Sequence, residues 1–523
     1  MSTSPQDDQT PGVFINEINS PVRSIVEEPS AIPAFIGYTP KAEYKGKSYL
    51  NTPVKITSLF EFREIFLFPD HPSAPASHYS PQYYTSKLDK APEQGNSYQI
   101  NGDLYAIEPD PGTIYYFYNM IRQFFQNGGG DAYVVSVGTY GKPTGSPVKP
   151  GAPIINPNVQ LDELLHGLNQ IRQISKVTLY VVPEATLLNT DDNSQLMQAV
   201  LSQSAEMDVF SILDITGGRA PDPILYTQDI TNFRNSTGNH NLRFGAAYYP
   251  FVITTTTSAD ELNYSNLNGG DLNILKSLIS PEDAPNKAAQ DLFRQIEHPE
   301  PGRTAAQINH ALLYTSPQYK LIMDVVRKQV NTLPPSATMA GIYEQVDSDR
   351  GVWKAPANVT PVGVSEVTLN IDHEMHEGLT LDAVGGKSIN LFRFFQGRGL
   401  VVWGARTLDG NSNDWRYIST RRTIMVIERS IKEALGVFSF SKNDKKTWSM
   451  AEDKIENYLN ILWQKGALVG RNTEEGYNVE VGLGSTMTSQ DIEEGRMIVA
   501  VKLALIRPAE FIIIQLQQRV EGA

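Results

Sequence analysis

The sequence predicts a multi-domain α/β protein: an α/β middle domain on a largely parallel sheet, an α+β C-terminal core domain, and extended strand arms at both ends. Three observations predict it. Strand-like and helix-like runs alternate from Thr113 to Ile253, the pattern of a parallel sheet covered by helices. The last third changes to longer helices followed by strands. Each end of the chain carries a short apolar run set off from the body.

The elements follow in order. Residues 1–12 are polar and read as disordered. Val13–Ile18 is an extended run bounded by Pro11-Gly12 and Pro21. Ala34-Phe35-Ile36-Gly37 reads as the first core strand, and the Tyr-, Pro- and Ser-rich stretch 40–112 as a surface insertion with short elements. Ile114, Phe117, Tyr118, Ile121, Phe124 and Phe125 recur at helical spacing, and Gly128-Gly129-Gly130 ends that helix before the strand Ala132–Val137. Alternation continues with a helix near Leu161–Ile174, strand Val177–Val182, a helix near Ser194–Ala205, and strands Phe210–Ile215, Leu242–Tyr248 and Phe251–Ile253.

Residues 255–307 are polar and read as irregular, with a helix around Ala288–Ile296; another helix, Tyr319–Val330, stops before Pro334-Pro335. Strand Gly399–Trp403 precedes a helix Arg421–Leu435 with Ile424, Ile427, Ile431 and Leu435 on one face. Ser449 and Glu452 have capping-box spacing ahead of a helix whose stripe is Ile455, Tyr458, Leu459 and Leu462. Strands Met497–Ile506 and Phe511–Leu516 close the chain.

Composition narrows the function. A net charge of -14 is the wrong sign for a chain that must neutralise phosphates, so nucleic acid is not an expected partner. With no cysteine, disulfides, thiol nucleophiles and cysteine–zinc sites are excluded. Asp7 and Asp8 stand where a secretion signal would be basic, and no apolar run reaches membrane-spanning length. A cytoplasmic product is expected, leaving the cell by lysis or within a larger particle.

Motifs that resemble catalytic or binding sites fail on spacing. In His373-Glu374-Met375-His376-Glu377 the second histidine comes three residues after the first, not the four that put two ligands on one helix face; a solvated turn or strand edge is expected instead. Gly385-Gly386-Lys387-Ser388 lacks the upstream glycine of a phosphate loop, where Leu381 stands. Gly128-Gly129-Gly130 lies after a helix and before a strand, the reverse of a dinucleotide loop. Asp191-Asp192 and Glu493-Glu494 fit helix starts or turns. No catalytic, metal or cofactor-binding residues are assigned, and no cofactor is expected.

The terminal runs remain. Phe511-Ile512-Ile513-Ile514-Gln515-Leu516 is apolar on both faces, so it needs neighbours on both. It could be a central strand of its own domain. Val13, Phe14, Ile15 and Ile18, detached by Pro21, Pro29 and Pro33, suit addition to another chain's sheet. Burying one large apolar side chain is worth roughly 1.5–3 kcal/mol, while ordering each residue costs about 1–2 kcal/mol. One arm therefore gains little alone, and many arms in one polymer add through avidity.

Several blocks resemble the contractile tail sheath family: Pro11–Ile18 with Ala34–Gly37, Phe124–Val137, Pro334–Asn358, Gly399–Leu408, Trp415–Leu435, Trp463–Gly470 and Asp491–Leu516 with its Arg507-Pro508-Ala509-Glu510. They occur in the family's order from residue 11 to 516. The resemblance implies a structural subunit that forms a helical or stacked-ring homopolymer around an inner tube protein, with baseplate and terminal cap proteins as further partners. Contraction of a metastable sheath drives the tube through a target envelope without nucleotide. It implies a particle assembled in the bacterial cytoplasm. Type VI sheaths split the work between two chains, so one chain with both arms points to a phage tail, a tailocin or an extracellular injection particle. The alternatives are an α/β hydrolase-like surface enzyme and a non-contractile shell or adhesin protein.

Carried over by position, Val13, Phe14, Ile15 and Ile18 form the N-terminal inter-subunit arm, and Phe511, Ile512, Ile513, Ile514 and Leu516 the C-terminal one. Lys442, Lys445, Lys446 and Lys454 are the tube-facing candidates. The expected organisation is residues 1–30 arm and linker, 31–340 α/β domain with outward insertions at about 40–112 and 255–307, 341–505 core domain, and 506–523 arm.

Overall fold

The computed structural model describes residues 25–68, 79–299, 302–382 and 385–510. Both arm segments, Val13–Ile18 and Phe511–Leu516, lie outside the described residues. The described residues divide into two compact units, one of residues 25–27 with 428–505 and one of residues 28–427 with 506–510.

The larger unit is organised by an eight-stranded sheet. In chain order its strands are β1 (Pro33–Thr39), β2 (Val54–Ile56), β3 (Ala132–Thr139), β4 (Leu179–Val181), β5 (Phe210–Asp214), β6 (Gly245–Tyr249), β7 (Ile389–Phe395) and β8 (Gly399–Trp403). Across the sheet they run β8-β7-β6-β5-β4-β1-β3-β2. The six inner strands are parallel, and the edge strands β2 and β8 are antiparallel to their neighbours. Every residue of β1 is buried, because it is central and helices cover its faces.

Two helices show how the sequence builds this layer. Helix α1 (Phe117–Gln126) buries Phe117, Ile121 and Phe124, the spacing that predicted it. Gly128, at φ +95°, then turns the chain towards β3, and the Gly130 N–H donates to Glu344 Oε2 at 2.8 Å. Helix α2 (Ser336–Arg350) packs against α1 at Gly341, where a β-carbon would stand 2.5 Å from the Phe124 carbonyl oxygen.

Several expectations are corrected. Leu242–Phe244 is a 3-10 turn, and the strand there is Gly245–Tyr249. The helix expected from Ser194 begins at Thr190, because the Asn189 side chain caps it by accepting from the N–H groups of Asp191 and Asp192. The stretch 40–112 carries more regular structure than its composition suggests: β2 pairs with β3, and Tyr83–Leu88, Tyr98–Ile100 and Asp103–Pro109 form a separate sheet. Within 255–307 the helix expected around Ala288–Ile296 is present as Lys287–Glu297, but helix Leu272–Ile279 stands where irregular chain was expected, and Ala305–Thr315 begins at its end.

The smaller unit contains helix α3 (Lys445–Gln464) and an antiparallel pair, β9 (Tyr477–Val481) and β10 (Val499–Leu503). Ile455, Tyr458, Leu459 and Leu462 of α3 are buried, as their spacing predicts. The capping box at Ser449 is not the helix start. Asp444 caps α3 by accepting from the Thr447 N–H at 3.0 Å, which places Ser449 inside the helix. The expected strand Met497–Ile506 is shorter, Val499–Leu503, and beyond it Leu505 bridges to Leu468.

Candidate assembly interface

An open parallel sheet binds ligands beyond the carboxyl ends of its strands, where the order reverses. Here that crevice lies at β1, with β3 on one side and β4 on the other. The protein's own carboxylate fills it. Glu184, fully buried after β4, accepts the Phe117 N–H at 2.9 Å and the Tyr116 N–H at 3.3 Å at the start of α1. A β-carbon at Gly37 would overlap that carboxylate, so the glycine of the Ala34–Gly37 strand is there to admit it. Burial pushes the Glu184 carboxyl up to about 8, against the lowering effect of those N–H donors.

The next strand repeats the arrangement. Asp214, at the end of β5, accepts the Ser336 N–H at 2.9 Å and the Ser336 hydroxyl at 2.5 Å at the start of α2. Burial raises it to about 7, with both Ser336 contacts pulling the other way. At two positions where an α/β enzyme offers a helix N-terminus to a substrate anion, this fold has closed the site on itself.

The motifs that resembled catalytic sites are structural. His373–Thr380 is a helix, which corrects the expected turn or strand edge; aspartate-assisted capping starts it, with Asp372 Oδ1 accepting the Met375 N–H at 2.9 Å. His373 is exposed, while His376 bonds Thr380 Oγ1 at 2.7 Å and is pushed down to about 4 by burial and by the neighbouring Arg393 and His373 charges. Lys387 is buried and donates to the Arg234 carbonyl, and Ser388 is buried at the entry to β7. Asp191 and Asp192 occupy the first turn of their helix as expected, but Glu493 and Glu494 end the short helix Ser489–Glu493. Among the described residues no three His, Asp or Glu side chains are grouped to hold a metal ion, and no helix is long and apolar enough to cross a membrane.

The candidate interface features are in the smaller unit. β9 and β10 pair Tyr477 with Leu503, Val479 with Val501 and Val481 with Val499, so the apolar side chains share one face. Helix α3 packs on β9, and Val479 is buried. Among the described residues neither strand has a second strand beside it. β9 escaped the sequence reading, although its Tyr-Asn-Val-Glu-Val alternation was a usable signal. Val437, Phe440, Val469, Leu483 and Ile498 are exposed in the same unit.

Of the four lysines, Lys442 precedes α3 and Lys445 and Lys446 open it, all three exposed. Lys454 is half-buried one face along; its Nζ donates to the Ala434 carbonyl at 3.2 Å and lies 5.9 Å from the Phe438 ring centre.

Residues 411–519 match the family model described as the phage tail sheath C-terminal domain. A tail sheath protein of Vibrio phage KVP40 is 24% identical over 153 residues, which is 29% of this chain; the chain spans only 22% of that relative's length. The contracted helical sheath of the anti-feeding prophage (AFP) superposes with a TM-score of 0.57 at 26% identity, covering 98% of this chain and 100% of that one. The contracted PVC sheath of an extracellular contractile injection system has the same fold, with a TM-score of 0.56 at 24% identity and 99% of both chains covered. The chain thus carries sheath-type sequence over residues 411–519 and has, over nearly its whole length, the fold of contractile sheath proteins.

Proposed function

We propose that the subunit polymerises around an inner tube and contracts to drive that tube through a target cell envelope. Its arms would pair with strands of neighbouring subunits. The observation that carries this reading is the β9–β10 pair. A two-stranded sheet is marginal by itself, and helix α3 covers one face while both outer edges stay available among the described residues. Val13, Phe14, Ile15 and Ile18 from one neighbour and Phe511–Ile514 with Leu516 from another supply two apolar strands, enough to complete a four-stranded sheet.

Lys442, Lys445 and Lys446 are the proposed tube-facing charges. Behind its Asp444 cap, the first turn of α3 carries two lysines and no acidic side chain, the reverse of what the helix dipole favours there. A local misfit of this kind is a mark of function, here an acidic partner surface. Lys454 belongs to the same proposed face with its stem packed down. Assembly in the bacterial cytoplasm, a terminal cap and a baseplate complete the proposal.

Electron microscopy of the purified full-length chain tests it. Hollow tubes are expected; a monodisperse monomer at high concentration with both termini intact would overturn the reading.

A further inference from the structure

Building on the proposed arm exchange, we infer that the segment 405–422 is a bracket fixing the points at which both arms leave the larger unit, through Arg422 for the N-terminal arm and Arg406 for the C-terminal arm. The N-terminal root is Ser30, just ahead of β1. Arg422 Nη2 donates to the Ser30 carbonyl at 2.9 Å, and the Ser30 hydroxyl donates to Asp347 Oδ2 at 2.6 Å. Asp347 is itself gripped by Arg422, and the two side chains are 6% and 2% exposed.

The C-terminal root is Glu510, the residue before Phe511. Arg406 donates from Nε to Oε1 at 2.8 Å and from Nη2 to Oε2 at 2.6 Å, and the Tyr417 hydroxyl donates to Oε2 at 3.2 Å. Arg406 is anchored in turn. Asn390 of β7 accepts its backbone N–H and donates to its carbonyl, each at 2.8 Å. The segment is closed on itself by Ile418 N–H to the Ala405 carbonyl at 3.0 Å and Thr407 N–H to the Arg416 carbonyl at 2.8 Å. Both guanidinium groups therefore hang from one hydrogen-bonded strap.

Stability alone does not account for two such pairs, since apolar side chains of similar volume stabilise a core as well or better. What a two-point guanidinium–carboxylate contact adds is direction. An arm that links moving subunits needs a fixed origin, because slack at its root absorbs displacement. Releasing Glu510 leaves the segment 506–510 with the exposed Arg507–Asp414 pair at 3.8 Å; an extended residue spans about 3.5 Å, so once that weak pair opens the arm gains up to roughly 17 Å of play.

Two full-length double variants test the bracket without stranding a buried charge: Arg406→Met with Glu510→Met, and Arg422→Met with Asp347→Leu. Each is compared with the wild type by thermal midpoint, chymotryptic cleavage at Phe511 in the unassembled chain, and electron microscopy of assembled tubes. The expected result is a midpoint within a few degrees of wild type and loss of helical order in the tubes of both variants. Cleavage at Phe511 should rise at least tenfold in the first variant only. Tubes of wild-type order from either folded variant would overturn the bracket while leaving the assembly reading standing. A wild-type chain that forms no tubes would overturn the assembly reading and this inference with it.

Discussion

Arg422 donates from both terminal nitrogens to the carboxylate of Asp347, at 3.0 and 2.5 Å, with its guanidinium 4.5 Å from the Tyr343 ring centre. The pair joins helix Ile418–Leu435 to α2 inside the larger unit. Removing one partner of a buried pair leaves the other charge uncompensated. Asp347→Asn should therefore destabilise the chain by about 3 kcal/mol, read as a lower urea midpoint with an unchanged slope. A midpoint equal to wild type would show that the pair contributes nothing net.

Glu184 predicts a pH dependence with a definite sign. Its folded-state value of about 8 lies above the ordinary 4.5, so between those values the folded chain binds more protons than the unfolded one. Stability from this group is full at low pH and is lost as pH rises through about 8, by up to about 1.4 kcal/mol per pH unit. Glu184→Gln should match wild type near pH 5 and exceed it at pH 9 in thermal midpoint. Asp214, raised to about 7, keeps a slope of the same sign in the variant. Parallel pH profiles for the two proteins would refute the assignment.

Gly341 sets how closely α1 and α2 approach. A β-carbon there meets the Phe124 carbonyl oxygen at 2.5 Å and the Asn127 β-carbon at 3.0 Å, both on a buried and rigid surface. Although alanine is the better helix former by about 1 kcal/mol, Gly341→Ala should cost about 1–3 kcal/mol through overpacking. Calorimetry would register this as a lower midpoint; a gain in stability would mean that the helices can separate freely.

Arm deletion separates folding from assembly. Removing residues 1–20, or ending the chain after Glu510, should leave the thermal midpoint nearly unchanged while abolishing tubes that sediment. Truncation after Arg507 should also abolish tubes, but it strands the buried Arg406 without its Glu510 partner and should lower the thermal midpoint. Truncated chains that still form ordered tubes would rule out the arm mechanism.

Reversing Lys442, Lys445 and Lys446 to glutamate should leave α3 folded, since acidic residues suit its first turn. Self-assembled tubes should persist, while co-assembly with the inner tube protein falls at least tenfold in a pelleting assay. Undiminished co-assembly would place the tube contact elsewhere.

Much of this protein is legible along the chain. A buried strand such as Ala34–Gly37 is a continuous apolar run, and α1 and α3 display their buried stripes at helical spacing, because these signals are local. The cap of α3 is less legible: Ser449 has the better-known pattern, but the true cap is Asp444, five residues earlier, where two following lysines disguise a helix N-terminus. The strand β9 was passed over because five alternating residues are a weak signal without their partner.

The fold class, the two apolar termini and the sheath-like blocks are legible in the chain alone, since each is written in adjacent or regularly spaced residues. What the polar residues do depends on which of them the fold brings together. Glu184 meets α1 from 67 residues away, Asp214 meets Ser336 from 122, and Arg406 meets Glu510 from 104. Burial converts such distant charges into plugs and anchors, because an ion taken from water must find its partner wherever the fold places one.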